Sequence, residues 1–211
     1  AHRVTSAVLE TALSYLDAFG WLKHELTEWK DISLLDIKLA LGDLQTSLGL
    51  KKTKSLTVQT VRAMEAPRCG CPDNVRKHHK CQKEMGRRRA VMLPKWKKSG
   101  LTYHIAAVPP GIDPFRYEMS VKVGFAFWVT RVADLKSVVQ VDAPKDADVV
   151  FNTGRGRQSN FDGPGGTLAW ASMPDGSNRQ LGVKLDEDER WNTNPSDRGF
   201  FVDAVVCHEI G

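Results

Sequence analysis

Four cysteines in 211 residues, Cys69, Cys71, Cys81 and Cys207, are too few for a disulfide-stapled scaffold, and aromatic residues make up only 8 % of the chain. No apolar run approaches the roughly 20 residues of a membrane-spanning helix, so no membrane span is expected in this chain. The N-terminus lacks the basic-then-apolar pattern of a secretory signal, and no internal repeat is visible. Acidic residues are nearly missing from one stretch, because residues 74–98 hold ten Lys and Arg against the single acid Glu84. The formal net charge of +5 is concentrated there, so it marks a basic segment rather than a basic surface, and no nucleic-acid partner is expected. Such a run reads as a solvated, protease-accessible linker, with a nuclear-localisation or heparin-type patch as the alternative. With 41 % hydrophobic residues, the chain can build an ordinary core on either side of it.

Before the linker the apolar pattern is helical. Leu34, Ile37, Leu41, Leu44 and Leu48 recur at spacings of 3 and 4 and stop at Gly49, which predicts an amphipathic helix. Val8, Ala12, Tyr15, Leu16 and Phe19, closed by Gly20, predict another, and Thr57 is placed to cap a third with Val58, Val61 and Met64 on one face. Residues 1 to about 65 therefore read as a three-helix bundle. After the linker, Leu101–Ile105 alternates like a strand, and Asp113-Pro114 opens a long helix with Val121, Phe125, Trp128 and Val132 as its buried stripe. Strand-like segments at 136–142, 148–152, 167–172 and 180–185, parted by Gly, Pro and Asp clusters, precede a last helix near Phe200, giving an α+β second half.

Two short motifs carry chemistry. In the last helix Phe201, Ala204, Val205 and His208 share helical spacing, so His208 is expected beside an apolar stripe, where a histidine is either a hydrogen-bonded core residue or a ligand. Glu209 follows it, and His-Glu is the opening of a helical His-Glu-x-x-His, in which two imidazoles one turn apart bind one zinc and the Glu serves as general base. The chain stops at Gly211, one residue before that second His, and on this reading it ends inside the motif. Upstream, Pro67-Arg68-Cys69-Gly70-Cys71-Pro72-Asp73 has the makings of a metal plug: prolines stiffen it, Gly70 permits close approach, and Arg68 favours a thiolate. His78, His79, Cys81, Cys69 and Cys71 could alternatively form a separate zinc knot, although their spacing fits no common finger. Cys71 and Cys81 could instead pair across the linker, and Cys207 reads as a buried thiol.

From these residues the chain resembles the zymogen of a matrix metalloproteinase, a secreted zinc endopeptidase of the metzincin group. The likeness includes Tyr15-Leu16 with Phe19-Gly20-Trp21-Leu22, Asp36-Ile37, Ala40-Leu41, Leu44-Gln45, Gly49-Leu50, Met64 and the cysteine heptad. It continues through Lys95-Trp96, Leu101-Thr102-Tyr103, Phe125, Phe127-Trp128, the run Phe161 to Ala169, Leu185-Asp186-Glu187-Asp188-Glu189, Trp191 and His208-Glu209-Ile210-Gly211. The resemblance implies a propeptide with cysteine switch over residues 1–73, an activation linker over 74–92, and a C-terminally incomplete catalytic domain over 93–211 built on a mixed, mostly parallel five-stranded sheet. It implies a secreted, latent endopeptidase acting on extended peptides of extracellular matrix or other extracellular proteins.

The same resemblance assigns roles. Cys69 would hold the catalytic zinc shut from a tethered effective concentration on the order of millimolar, His208 would be a zinc ligand and Glu209 the general base. Gly86-Arg87-Arg88-Arg89-Ala90 would be a convertase site cut between Arg89 and Ala90, with Gly86 departing from the strongest consensus. Substrate would lie antiparallel along Leu168, Ala169 and Trp170. Asp162, Asp186 and Glu189, with carbonyls of Gly163, Gly165 and Thr167, would bind a structural calcium. The second, structural zinc of the family is expected to be absent, because Arg155, Arg157, Trp170 and Lys184 stand where its ligands belong and carry no suitable lone pair. A chain confined to this fragment is expected to be inactive, and the alternative reading is a non-catalytic product that acts as a binding or inhibitory module.

Overall fold

The structure is a computed structural model, and it describes residues 6–22, 32–70, 73 and 95–211. These fall into two compact units, one formed by residues 6–22, 32–66 and 73, the other by Pro67–Gly70 with residues 95–211. The expected cleavage positions Arg89 and Ala90, and the linker residues His78, His79, Cys71 and Cys81, lie outside the described residues.

In the first unit the described residues form three helices: α1 (Ser6–Ala18), α2 (Leu34–Ser47) and α3 (Val58–Met64). Ser33 caps α2 by accepting the Asp36 amide, and Thr57 caps α3 by accepting that of Thr60, each satisfying a backbone donor the helix leaves open. Ala12, Leu16, Leu22, Ala40, Leu41, Leu44 and Met64 make the core. The stripe read on α2 is buried only in its middle, since Leu34 and Leu48 at its two ends are exposed.

What the apolar pattern did not disclose is Gln45, whose side chain is fully buried. Its Oε1 accepts the amides of Thr53 and Lys54, both at 2.9 Å, and its Nε2 lies 2.9 Å from the Ser55 carbonyl and 3.0 Å from Thr60 Oγ1. One amide thus stands in for the backbone partners that the α2–α3 connection lacks.

The second unit is α+β. Its main sheet runs in the order β1 (Arg68–Cys69), β5 (Thr167–Ala171), β6 (Leu181–Asp186), β4 (Val149–Gly154), β2 (Gly100–Ile105) and β3 (Ser137–Gln140). Only the β5–β6 pair is antiparallel. The five strands of the downstream segment are those expected, and the cysteine motif adds a sixth. A small parallel pair, β7 (Trp191–Asn192) with β8 (Phe200–Phe201), lies apart and was too short to read from sequence.

Helix α4 (Pro114–Val129) starts as the Asp113-Pro114 pair dictates, with the Asp113 carboxylate accepting the Arg116 amide. Its buried residues are Tyr117, Ser120, Val121, Gly124 and Phe125; the expected stripe therefore fails at its C-terminal end, where Trp128 is half-buried and Val132 lies beyond the helix and is exposed. Tyr103, Phe125 and Phe151 form an aromatic cluster with centroids 5.0–6.1 Å apart, joining α4 to the sheet. Helix α5 (Val202–Ile210) packs against α4 where Gly124 has no side chain; a Cβ there would lie 2.8 Å from Ile210 Cδ1.

Replacing Gln45 with Leu leaves the Thr53 and Lys54 amides without their partner. It should destabilise the helical unit by about 2–3 kcal/mol, read as a lowered urea midpoint for amide protection in α2.

Candidate metal and active site

Helix α5 presents two chemically different faces. Its buried side is Val202, Val206 and Glu209, one stripe at spacings of 4 and 3, while His208 is exposed and Ala204 with it. This corrects the sequence reading, which put His208 beside the apolar stripe; the register of Val202 rather than Phe201 sets the inward face. Cys207 is half-buried rather than buried, and its carbonyl accepts the Trp128 indole N–H at 2.7 Å.

Two contacts fix this helix that periodicity could not reveal. Asp203, in its first turn, accepts from Arg116 Nη2 at 2.9 Å and from Ser120 Oγ at 2.6 Å, both on α4. Together with the Trp128 bond they tie both ends of α5 to α4 and set the direction of His208 and Glu209. An acid in a first helical turn was the available signal, but nothing local names its partners.

The cysteine motif reaches this helix through β1. Its pairing with β5 is parallel, Arg68 opposite Thr167 and Cys69 opposite Ala169 with a shift of register between them. The Arg68 amide donates to the Gly166 carbonyl at 2.8 Å and the Gly70 amide to that of Ala169 at 2.7 Å. Gly70 is sterically required: a Cβ there would stand 2.7 Å from Thr167 Cγ2 and 3.2 Å from Trp170 Cβ. The edge of Leu168, Ala169 and Trp170, which sequence reading reserves for a peptide, is thus taken by this segment, with Leu168 and Ala169 buried and Trp170 half-buried.

At the end of that strand Cys69 Sγ lies 3.6 Å from Glu209 Oε2, the thiol donating to the carboxylate. The ligand atoms of Cys69, His208 and Glu209 all fall within 4.8 Å of one another, and among the described residues this is the one group of three so gathered. A soft sulfur and an imidazole over a buried carboxylate suit zinc, so the donor set fits the metal that the sequence implies. A matrixin family model matches residues 95–211, more than half of the chain. The chain belongs to the matrixin family.

Curated relatives agree with this assignment. Mouse matrix metalloproteinase-19 is 31 % identical over 208 residues, covering 96 % of this chain and 36 % of the relative. Human matrix metalloproteinase-27 is 31 % identical over 208 residues, covering 96 % and 37 %. Pig interstitial collagenase is 31 % identical over 175 residues, covering 81 % and 34 %. This matrixin chain therefore spans just over a third of the length of such relatives.

The acidic residues expected to bind calcium lie around the turn before β5. Asp162 Oδ1 accepts the Thr167 amide at 3.0 Å, Glu189 Oε1 the Gly165 amide at 2.6 Å, and Asp186 Oδ1 the Asp188 amide at 2.9 Å. The left-handed Gly163, Gly165 and Gly166 let the turn fold tightly, and a Cβ on Gly166 would overlap the Asp162 carboxylate. Asp186 Oδ2 is buried without a hydrogen-bond partner. Burial first, then the neighbouring Asp188 and Asp162, holds the Asp186 carboxyl above its ordinary range; burial and the same acidic company, Asp186 included, raise Glu189. An orphaned buried oxygen beside other carboxylates is chemistry that a hard cation would suit.

The positions at which the resemblance would place a second zinc do not fit one. Trp170 donates its indole N–H to the Ser159 carbonyl, Lys184 lies over the Trp170 ring, Arg155 pairs with Asp188, and Arg157 is exposed.

Exchanging Gly70 for Ala should push β1 off the β5 edge. An overpacking strain of this kind would raise the alkylation rate of Cys69 by roughly ten- to a hundredfold, measured with a small maleimide on the native chain.

Proposed function

We propose that this chain is the latent segment of a zinc-dependent endopeptidase of the matrix metalloproteinase type. The reading rests on one observation, the meeting of Cys69, His208 and Glu209 within 4.8 Å in a matrixin. His208 and Cys69 would hold the zinc, which when bound supplies the Lewis acidity that polarises a peptide carbonyl and brings water within reach of deprotonation near neutral pH.

The chain's own residues account for both activity and latency. Glu209 is a buried carboxylate whose oxygen now accepts from the Cys69 thiol, so the group that would take a proton from water is occupied. The Gly166 and Ala169 carbonyls along the β5 edge accept at the same time from the Arg68 and Gly70 amides. An extended substrate would add to that edge in the opposite direction, antiparallel, with Leu168, Ala169 and Trp170 setting its register. One short segment thereby blocks base and peptide site together, and cutting the basic linker at Arg89-Ala90 by a convertase or similar protease would release it.

Asp162, Asp186 and Glu189 would hold a calcium ion with carbonyls from Gly163, Gly165 and Thr167. An affinity of about 10⁻⁴–10⁻³ M, usual for extracellular modules, is met outside the cell, in keeping with a secreted protein. The proposed substrates are extended segments of extracellular matrix or other extracellular proteins.

Peptidase assays test this in a chain whose His-Glu-x-x-His continues beyond Gly211 and is loaded with zinc. Cys69→Ser should raise cleavage of a quenched peptide by on the order of 10²-fold or more, and adding Glu209→Gln should lower it by about 10²–10⁴-fold. Inertness of the Cys69→Ser protein with zinc bound would refute the reading. Separately, calcium at 100 times its Kd should stabilise the present chain by about 2.7 kcal/mol, seen as a higher melting temperature, and Asp186→Asn should abolish the response.

A further inference from the structure

The connection from β4 to β5, residues 155–166, contains no regular structure beyond a single 3-10 turn at Arg157–Ser159, and its backbone enters the left-handed region at Gly156, Asn160, Gly163, Gly165 and Gly166. Within it the amides of Ser159 and Phe161 both donate to the Gly156 carbonyl, and that of Asn160 to Arg157, which closes the turn on itself but attaches it to nothing. A turn of this kind needs anchors from outside to stay ordered.

Those anchors come from the sheet. Trp170 on β5 donates Nε1–H to the Ser159 carbonyl at 2.9 Å. Lys184, its direct cross-strand partner on β6, carries its ammonium 5.4 Å from the centre of the Trp170 ring. Gly154 leaves room for this arrangement, since a Cβ there would lie 2.4 Å from Ser159 Oγ and 3.0 Å from Lys184 Cδ. On the other side Arg155 Nε reaches Asp188 Oδ1 at 3.1 Å and Glu187 Oε2 at 3.7 Å, and Thr153 Oγ1 donates to Glu187 Oε1 at 2.7 Å. Arg155 is more than half exposed, so solvent screens its pairs; buried Phe161 and the Gly165–Glu189 bond hold the far end of the connection, and the Trp170–Ser159 bond with the Lys184 stack holds the 3-10 turn itself.

The chemistry of this set is opposite to that of a metal site. Arginine, protonated lysine and indole donate hydrogen bonds and offer no lone pair to zinc. We propose that Trp170, Lys184 and Arg155 form a metal-free bracket that fixes the β4–β5 connection on the sheet where a matrixin is expected to use a structural zinc. The bracket joins the turn to the same strand that carries the Cys69 segment, so order in the connection is built into the side chains rather than supplied by an ion. It stands apart from the protease reading, because its readout is local order and not cleavage.

Amide hydrogen exchange on the full chain tests it, with calcium held constant and a zinc-selective chelator present or absent. In the wild-type protein the chelator should leave exchange at Ser159, Asn160 and Phe161 unchanged. Trp170→Phe, which keeps a ring but removes the N–H, and Lys184→Met should each raise it by about three- to tenfold, with the paired amides of β4 and β6 unmoved. Lys184→Arg should restore protection, which a purely space-filling role for the side chain would not require. Where Trp170→Phe fails to fold, Lys184→Met and its Lys184→Arg counterpart decide. The proposal is overturned by loop opening on chelation of the wild-type protein, by wild-type exchange in Lys184→Met, or by Lys184→Arg behaving like Lys184→Met.

Discussion

Two backbone hydrogen bonds, from Arg68 to Gly166 and from Gly70 to Ala169, hold the short strand on which the chemistry of this site depends. They fix the register of β1 on β5 and so deliver Cys69 to the end of α5, where its sulfur meets Glu209. The sequence requirement is severe at one position. Gly70 is the residue whose missing side chain lets two backbones close over Thr167 and Trp170, and any larger residue would move the cysteine away from the helix.

The other half of the site is held just as firmly. Helix α5 has no side-chain cap at its start, and the Arg116 and Ser120 bonds to Asp203 instead anchor its first turn to the neighbouring helix. Gly124 brings the two helices close and Trp128 hydrogen-bonds the carbonyl of Cys207, so His208 and Glu209 project from a helix fixed at both ends. Preorganisation of this sort is what lets a metal or a thiol find its partners without reordering the chain.

Much of this was legible in the residues. The caps Thr57 and Asp113, the helices they open and the five strands β2 to β6 follow from local chemistry and periodicity, and they appear where that chemistry puts them. The inward face of α5 was misread because Phe201, Ala204 and Val205 imitate a stripe that Val202 and Val206 form, and only packing against α4 distinguishes the two. Gln45 was visible as a residue but not as a buried bracket, since a polar side chain inside a helix ordinarily faces solvent and its partners lie eight to fifteen residues away. Strand β1 was beyond reach for a similar reason. Two residues carry no period, and their partner strand lies about a hundred residues downstream.

The most direct measurement is zinc-edge X-ray absorption on the zinc-loaded chain with its histidine motif complete. One sulfur scatterer at about 2.3 Å, lost in Cys69→Ser, is the result this account predicts. A first shell of nitrogen and oxygen alone in the protein with Cys69 intact would contradict it.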